Sequence, residues 1–399
     1  MSTPSARRQR LPAALLVIAT LAALVAGACG GPVLANPPVA HPVPTRAPET
    51  PPRPPDPQPV VLPRDDGPHD RLTEWWYYTG HLRAGDGHRF GFEYVVFRAE
   101  RGGFPVTWAS HLALTDETGG AFHYAQRAEI GPQVDRSPGE SGVPTGFAFA
   151  VTGLDAGDPT LTRGTPWTMA GGDGSDVLAA AASGVEVAGD PTPAFGLDLR
   201  LAATKPPALH DRDGYIDFGP AGGSYYYSRT ALDATGTVTV DGANLQVTGD
   251  AWFDHQWGDF ISVGAGGWDW FAVNLDDGTD VTLSMVRAVD GTYPLLYGTF
   301  VDAQGGTTHL DGGDFSVEAT DRWTSPATGA AYPAGWRIRL PGRDLEILLT
   351  PTVPGQELDT RATTGVVYWE GSQRVTAERA GAPLGGRAYV ELTGYPPAH

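Results

Sequence analysis

Residues 74–82 read EWWYYTGHL and residues 90–98 read FGFEYVVFR. In an extended chain successive side chains point to opposite faces. Glu74, Trp76 and Tyr78 therefore share one face of the first run, and Trp75, Tyr77, Thr79 and His81 the other. The second run groups Phe90, Phe92, Tyr94, Val96 and Arg98 opposite Glu93, Val95 and Phe97. A strand with large rings on both faces must be covered on both sides, because apolar surface on either face is expelled from water. Barrel closure, or one layer packed on another, provides that cover. Arg98 sits on an otherwise apolar face and needs an acidic partner or a ligand, since an unpaired buried charge is costly. Glu74 is the candidate partner.

The pattern extends outward from these runs. Short alternating stretches such as NLDDGTDVTLSMV (274–286) and VDAQGGTTHLDGGDFSV (301–317) are separated by Asp-Gly and Gly-Gly turns, in a chain with 53 glycines. Such dipeptides between alternating runs are hairpin signals. No stretch carries a long amphipathic helical period. Ala179–Ala182 is too short to nucleate a helix and reads as strand. The expected fold class is all-β, built of barrels or sandwiches.

The densest chemical cluster is GDAWFDHQWG at 249–258, followed by GWDWF at 267–271. As a strand the first puts Phe253, His255 and Trp257 on one face and Trp252, Asp254 and Gln256 on the other; Asp269 lies between Trp268 and Trp270. An imidazole among indoles, with carboxyls nearby, suits proton transfer to or from an apolar substrate. Histidine titrates near neutrality, and burial raises a carboxyl toward that range. Indole faces also stabilise a developing cation, by about 2 kcal/mol in a dry site. The competing account is an aromatic core with Asp254 and His255 at a strand end. GxSxG, CxxC, HExxH, GxGxxG and Walker motifs are absent, and DRDG at 211–214 fails as a calcium loop because its twelfth position is Gly222. Neither a metal nor another cofactor is expected.

Residues 1–10 carry Arg7, Arg8 and Arg10 and no acid; an uncharged apolar run, LPAALLVIATLAALVAGA at 11–28, then meets Cys29, the sole cysteine. This is the layout of a signal peptide spanning 1–28. The small residues before a lone cysteine resemble a lipobox, in which Cys29 would take a lipid and anchor the mature chain outside the cytoplasmic membrane. Between residues 30 and 69 lie 14 of the 36 prolines, so residues 29–64 read as an extended spacer. Removing the three signal arginines takes the formal charge from −19 to −22. That excess argues against nucleic acid and against electrostatic docking on anionic lipid.

EWWYYTGHL, FGFEYVVFR, HLALTD (111–116), GSYYYSRT (223–230), GDAWFDHQWG, GWDWF, YWEG (368–371) and GGRAYVELTGY (385–395) together resemble the ordered motifs of the carotenoid 1,2-hydratase/AttH family. The resemblance spans about residues 65–399. It implies two lipocalin-like antiparallel β-barrels packed together, residues 65–258 and 259–399. It implies acid-catalysed hydration of an isoprenoid-like double bond, with His255 and Trp257 as the family's His-x-Trp pair. The hydratases' further Tyr and Asp are not offered by VTLSMVR at 281–287, so Asp254 or Asp269 would donate the proton. The expected catalytic set is therefore His255, Asp254 and Asp269. The expected substrate contacts are Trp76, Arg98, Trp257, Trp268, Trp270 and Glu74, and the expected pocket near the interface of the barrels is lined by Trp76, Arg98, His255, Trp257, Asp269 and Trp270. The alternative is a non-catalytic lipoprotein that binds an apolar ligand and serves a transporter.

The anchor is tested directly. Native protein is expected to enter the detergent phase on partitioning, and Cys29→Ser to stay in the aqueous phase; equal behaviour of the two would rule out the lipid.

Overall fold

The computed structural model describes residue 53 and residues 55–140, 143–155, 158–162, 164–182, 194–260 and 265–395. The signal segment, Cys29 and most of the spacer lie outside them. Among the described residues there is no α-helix, and every strand pairing is antiparallel. The compact unit begins at Pro57.

The main path of the first sheet runs through β1 (Thr73–Ala84), β2 (Arg89–Ala99), β3 (Thr107–Asp116), β4 (Ala121–Ile130), β5 (Phe147–Val151), β6 (Trp167–Gly171), β7 (Ser175–Ala182), β8 (Phe195–Ala203), β9 (Gly223–Val240) and β10 (Ala243–Gly258). Their order is β4-β3-β2-β1-β10-β9-β8-β7-β6-β5, a meander curled into a nearly closed barrel. The Ala179–Ala182 stretch is strand, as its length requires. The second sheet comprises β11 (Ala265–Leu275), β12 (Asp280–Ala288), β13 (Leu295–Val301), β14 (Thr307–Asp311), β15 (Ser316–Ala319), β16 (Trp336–Leu340), β17 (Leu345–Pro351), β18 (Val367–Arg379) and β19 (Ala382–Thr393). Its order, β14-β13-β12-β11-β19-β18-β17-β16-β15, repeats the plan of the first: an opening meander joined through its first strand to the last strand of the unit. The sequence after Gly258 thus begins a second sheet rather than extending the first.

Alternation along β1, β2 and β10 assigns two different cores. Trp76, Tyr78, Phe92, Tyr94, Phe253 and Trp257 turn into the first barrel, where all are buried. Trp75, Tyr77, Val95, Phe97 and Trp252 turn outward and meet Trp268, Trp270, Ala272 and Tyr389 of the second sheet. The second sheet fills its own core with Phe271, Trp336, Ile347 and Trp369, among others. Rings on both faces are therefore covered, one face by barrel closure and the other by the second sheet. Just before Trp268 the β11–β12 register slips between Ala265 and Trp268. Gly267 sits there at φ 89°, where an added Cβ would lie 2.3 Å from the Thr393 carbonyl oxygen, so only glycine fits.

The entering chain reaches the first barrel before residue 65. Val60 and Leu62 pack on its core, a correction to the spacer boundary of 64: two apolar residues between prolines gain more by docking than by staying extended in water. Asp66 follows, fully buried. It accepts from Arg229 Nη2 at 2.8 Å and from the Tyr227 hydroxyl, while its backbone carbonyl accepts from Trp76 Nε1 at 2.9 Å. Removing one member of a buried ion pair strands the other charge, at about 3–5 kcal/mol. Asp66→Ala should lose about that much unfolding free energy in urea melts; a loss below about 1 kcal/mol would mean this pair does not hold the segment.

Candidate active site between the two sheets

The sequence-predicted residues fall into three compartments. Inside the first barrel, Glu74 Oε1 accepts from His255 Nε2 at 2.9 Å and from His69 Nδ1 at 2.7 Å, and Glu74 Oε2 accepts from the His69 backbone N–H at 2.9 Å. His255 lies against Trp76, with ring centres 4.6 Å apart; Trp257 stacks on His69 at 4.2 Å with the planes 1° apart. Burial opposes the His69 imidazolium, but the Glu74 and Asp65 carboxylates outweigh it and raise its pKa. Burial also opposes the Glu74 carboxylate, yet the two imidazoles hold its pKa down. Burial lowers the pKa of His255, whose Nδ1 has no hydrogen-bond partner among the described residues. One donor atom each from His69, Glu74 and His255 lies within 4.8 Å of the others, the spacing of a metal cluster. Both rings already address the same Glu74 oxygen, so the arrangement works as an imidazole–carboxylate–imidazole hydrogen-bonded unit.

Asp269 occupies a second compartment, on the far face of β11. Arg287 Nη1 donates to it at 2.8 Å, and Tyr293 and Tyr395 hydroxyls donate at 3.0 Å each. Burial raises its pKa against the pull of Arg287. Strand alternation separates it from Trp268 and Trp270, its neighbours in sequence.

The third compartment, between the sheets, is where a ligand can enter. A cavity of about 90 Å³ is lined by Trp75, Tyr77, Glu93, Phe97, Tyr226, Asp254, Trp268, Trp270, Tyr297, Tyr368 and Glu391, among others. It shares Trp75, Phe97, Phe260, Trp268, Tyr368 and Glu391 with a vestibule of about 730 Å³, which Glu74 and Arg98 also line. The vestibule is of the size that small apolar ligands occupy. The expectation of one pocket lined by Trp76, Arg98, His255, Trp257, Asp269 and Trp270 is thus corrected. Trp270 faces the cavity and Arg98 the vestibule, whereas Trp76, His255 and Trp257 belong to the barrel core and Asp269 to the far side of the second sheet. Arg98 lies 3.9 Å from Glu74 but is bonded to Glu100 and, at 2.5 Å, to the His69 carbonyl.

What the motif reading missed is a set of carboxyls in the layer between the sheets, of which Glu93 and Glu391 stand in the cavity wall. Glu93 on β2, Glu370 on β18 and Glu391 on β19 all turn into the inter-sheet layer, and register puts Glu370 opposite Glu391. Like charges directly opposed in a sheet repel, and burial penalises each ionised form. Burial pushes Glu93 up to about 8 despite its Tyr368 contact, and Glu391 up to about 7 despite the Trp268 donor. Burial, then the charges of Glu93 and Glu391, lifts Glu370 well above the usual carboxyl range. Tyr77 donates to Glu370 Oε1 at 2.8 Å, and Trp268 Nε1 to Glu391 Oε2 at 3.1 Å. The available signal was an acid inside an otherwise apolar strand: FGFEYVV, VYWEG and AYVELT. His69, in a proline-flanked loop segment, gave no comparable signal.

Asp254 differs from these three. Trp252 Nε1 donates to its Oδ1 at 2.6 Å, and the Ser228 and Tyr226 hydroxyls donate as well. Burial lifts it to about 6 against those three donors. Three donors favour the charged form, so Asp254 ionises more readily than Glu391. Around them Trp270 meets Tyr77 and Trp252 edge to face, with ring centres 5.4 and 6.2 Å apart, and donates to Tyr226 Oη at 3.0 Å.

Residues 53–395 match the family described as AttH-like. The structure superposes on an AttH protein of Nitrosomonas europaea with a TM-score of 0.69 at 31% identity, over 85% of this chain and 98% of that one. It also superposes on kievitone hydratase of Nectria haematococca (TM-score 0.60, 15% identity, 84% and 93% of the chains). A third match is CghA solved with Sch210972 (TM-score 0.52, 12% identity, 82% and 90%). The last two show likeness of fold. No curated protein sequence matches the chain.

The buried acids make stability depend on pH. Each binds its proton more tightly folded than unfolded, so its contribution is fully present below its unfolded pKa, near 4, and is lost as pH rises through the folded values. With Asp254 at about 6, Glu391 at about 7 and Glu93 at about 8, melting temperature should fall from pH 5.5 to 8.5. Glu93→Gln should flatten that fall; an equal slope in the variant would refute the assignment.

Proposed function

The chain belongs to the AttH-like family, and we propose that it is a hydratase-type acid–base enzyme acting on an apolar, isoprenoid-like unsaturated substrate in the inter-sheet cavity. The observation that carries this reading is the Glu391 carboxyl in the wall shared by cavity and vestibule, bonded through Oε2 to Trp268 and lifted by burial to about 7. A general acid works best with a pKa near the working pH. Glu391 gives its proton to one alkene carbon, leaving a tertiary cation on the other. The faces of Trp268, Trp270 and Tyr77 and the Asp254 carboxylate stabilise that charge, the rings by about 2 kcal/mol where dry. Water adds to the cation through oxygen, and its spare proton returns to Glu391. The net change is addition of water across the double bond.

His255 takes a supporting part in this proposal. It fixes Glu74, which borders the vestibule, but it does not line the cavity. The catalytic centre moves from the WFDHQWG strand's barrel face to its outer face, where Asp254 sits. The proposed setting is extracytoplasmic, on a lipid at Cys29 after cleavage of the signal peptide, with the spacer holding the body off the membrane and a transporter as candidate partner. The sequence features at residues 1–59 support that setting.

The test is hydration of a panel of trisubstituted isoprenoid alkenes, followed by mass gain of one water. Glu391→Gln should lower turnover by about 10²–10⁴ while leaving tryptophan quenching by the same compounds unchanged. Quenching without any turnover in the native protein would instead favour a ligand-binding role, and neither quenching nor turnover would overturn the site.

A further inference from the structure

A chain of hydrogen bonds runs from the rim of the vestibule to Glu93, and its polarity can be read from the outer end. Gln126 Nε2 donates to the Asp359 carbonyl at 2.7 Å, so Gln126 Oε1 must act as acceptor, and Thr363 Oγ1 donates to it at 2.8 Å. The other acceptor within reach of that hydroxyl proton, the Thr360 carbonyl at 3.2 Å, also lies away from His111. His111 Nε2, 3.0 Å from Thr363 Oγ1, must then supply the proton of that bond. A neutral imidazole has one N–H, and burial keeps His111 neutral by lowering its pKa to about 3. Its Nδ1 is therefore an acceptor, and the proton in its 2.7 Å contact with Tyr368 Oη comes from the phenol. Tyr368 has no second proton to give. Its oxygen also lies 3.0 Å from Glu93 Oε1, and that bond is complete only if Glu93 carries the hydrogen.

From this geometry we propose that Glu93 is held protonated in the cavity and that its proton, whenever lost, is replaced from the vestibule through Thr363, His111 and Tyr368. The proposal rests on the acid–base reading of the cavity and assigns it a proton route. When Glu93 is ionised the three inner bonds reverse: Tyr368 donates to Glu93, His111 donates from Nδ1, and Thr363 turns its proton from Gln126 to Nε2. Reloading then takes one proton from vestibule water at Thr363 and moves one along each bond. One proton reaches Glu93 Oε1, and each intervening group keeps its protonation state. Only O–H and N–H bonds form and break. Position supports the route at both ends. Thr363, His111 and Tyr368 line the vestibule, whereas Glu93 and Tyr368 line the inner cavity with Glu391. Glu93 and His111 are buried and Thr363 is half-exposed. A protonated carboxyl beside Glu391 also limits the repulsion that two buried carboxylates would suffer.

Infrared difference spectroscopy tests this without any substrate, so its failure and that of the hydration reading are separable. At pH 7 native protein minus Glu93→Gln should show one neutral carboxylic-acid carbonyl stretch, and no such band would overturn the proposal. On transfer to D₂O that band should shift quickly in native protein and about 100-fold more slowly in Tyr368→Phe, the low end of losing a positioned proton-transfer group. His111→Leu should slow it likewise and serves if Tyr368→Phe misfolds. Exchange at the native rate in a folded variant would mean that Glu93 is an isolated acid and that the route is wrong.

Discussion

Two sheets press aromatic faces together, and those faces contain acids that cannot all ionise. Trp75, Tyr77, Phe97 and Trp252 from one side and Trp268, Trp270 and Tyr389 from the other exclude water from the layer. Glu93, Glu370 and Glu391 lie within it. In such surroundings an isolated carboxylate is held far above its solvated energy, so each acid keeps a proton or is paid for by donors. Asp254 has three donors around it, Ser228, Tyr226 and Trp252; the glutamates have fewer, and burial raises the pKa of each. The packing that joins the sheets also sets the protonation states that the proposed chemistry uses.

The interior of the first barrel obeys a different rule. Two of its buried acids each hold two donors: Asp66 holds Arg229 and Tyr227, and Glu74 holds His69 and His255. Matching of this kind fixes geometry and leaves little spare acidity. His255 is buried between Trp76 and Trp257 and spends its Nε2 on Glu74. Through Glu74, which also borders the vestibule, the barrel interior touches the ligand space without opening into it. The chain before β1 closes this arrangement, because Asp66 and His69 both come from it.

The division between the two environments follows from single-residue alternation. His255 and Asp254 are neighbours in sequence, yet one belongs to a matched barrel core and the other to a cavity wall. The same alternation sends Asp269 to Arg287 while Trp268 and Trp270 face the cavity. A cluster dense in sequence is thus divided in space, and the acids that share the cavity are far apart in the chain: Glu93, Asp254 and Glu391.

The sequence by itself determined the all-β class and the two-faced burial of EWWYYTGHL and FGFEYVVFR. Turn chemistry and a period of two are local properties, and rings on both faces require cover wherever they occur. It also set out the motif series that identifies the family, and it split His255 from Asp254 by face. It could not say which face turns inward, because both carry aromatic rings and alternation is symmetric under that exchange. Only the tertiary structure decided that the outward face meets a second sheet, and that Glu93, Glu370 and Glu391 converge there with Asp254. Their acidity is a property of convergence: desolvation and mutual repulsion act through space, across hundreds of residues of chain, and leave no mark on any one strand beyond a single acid among apolar neighbours.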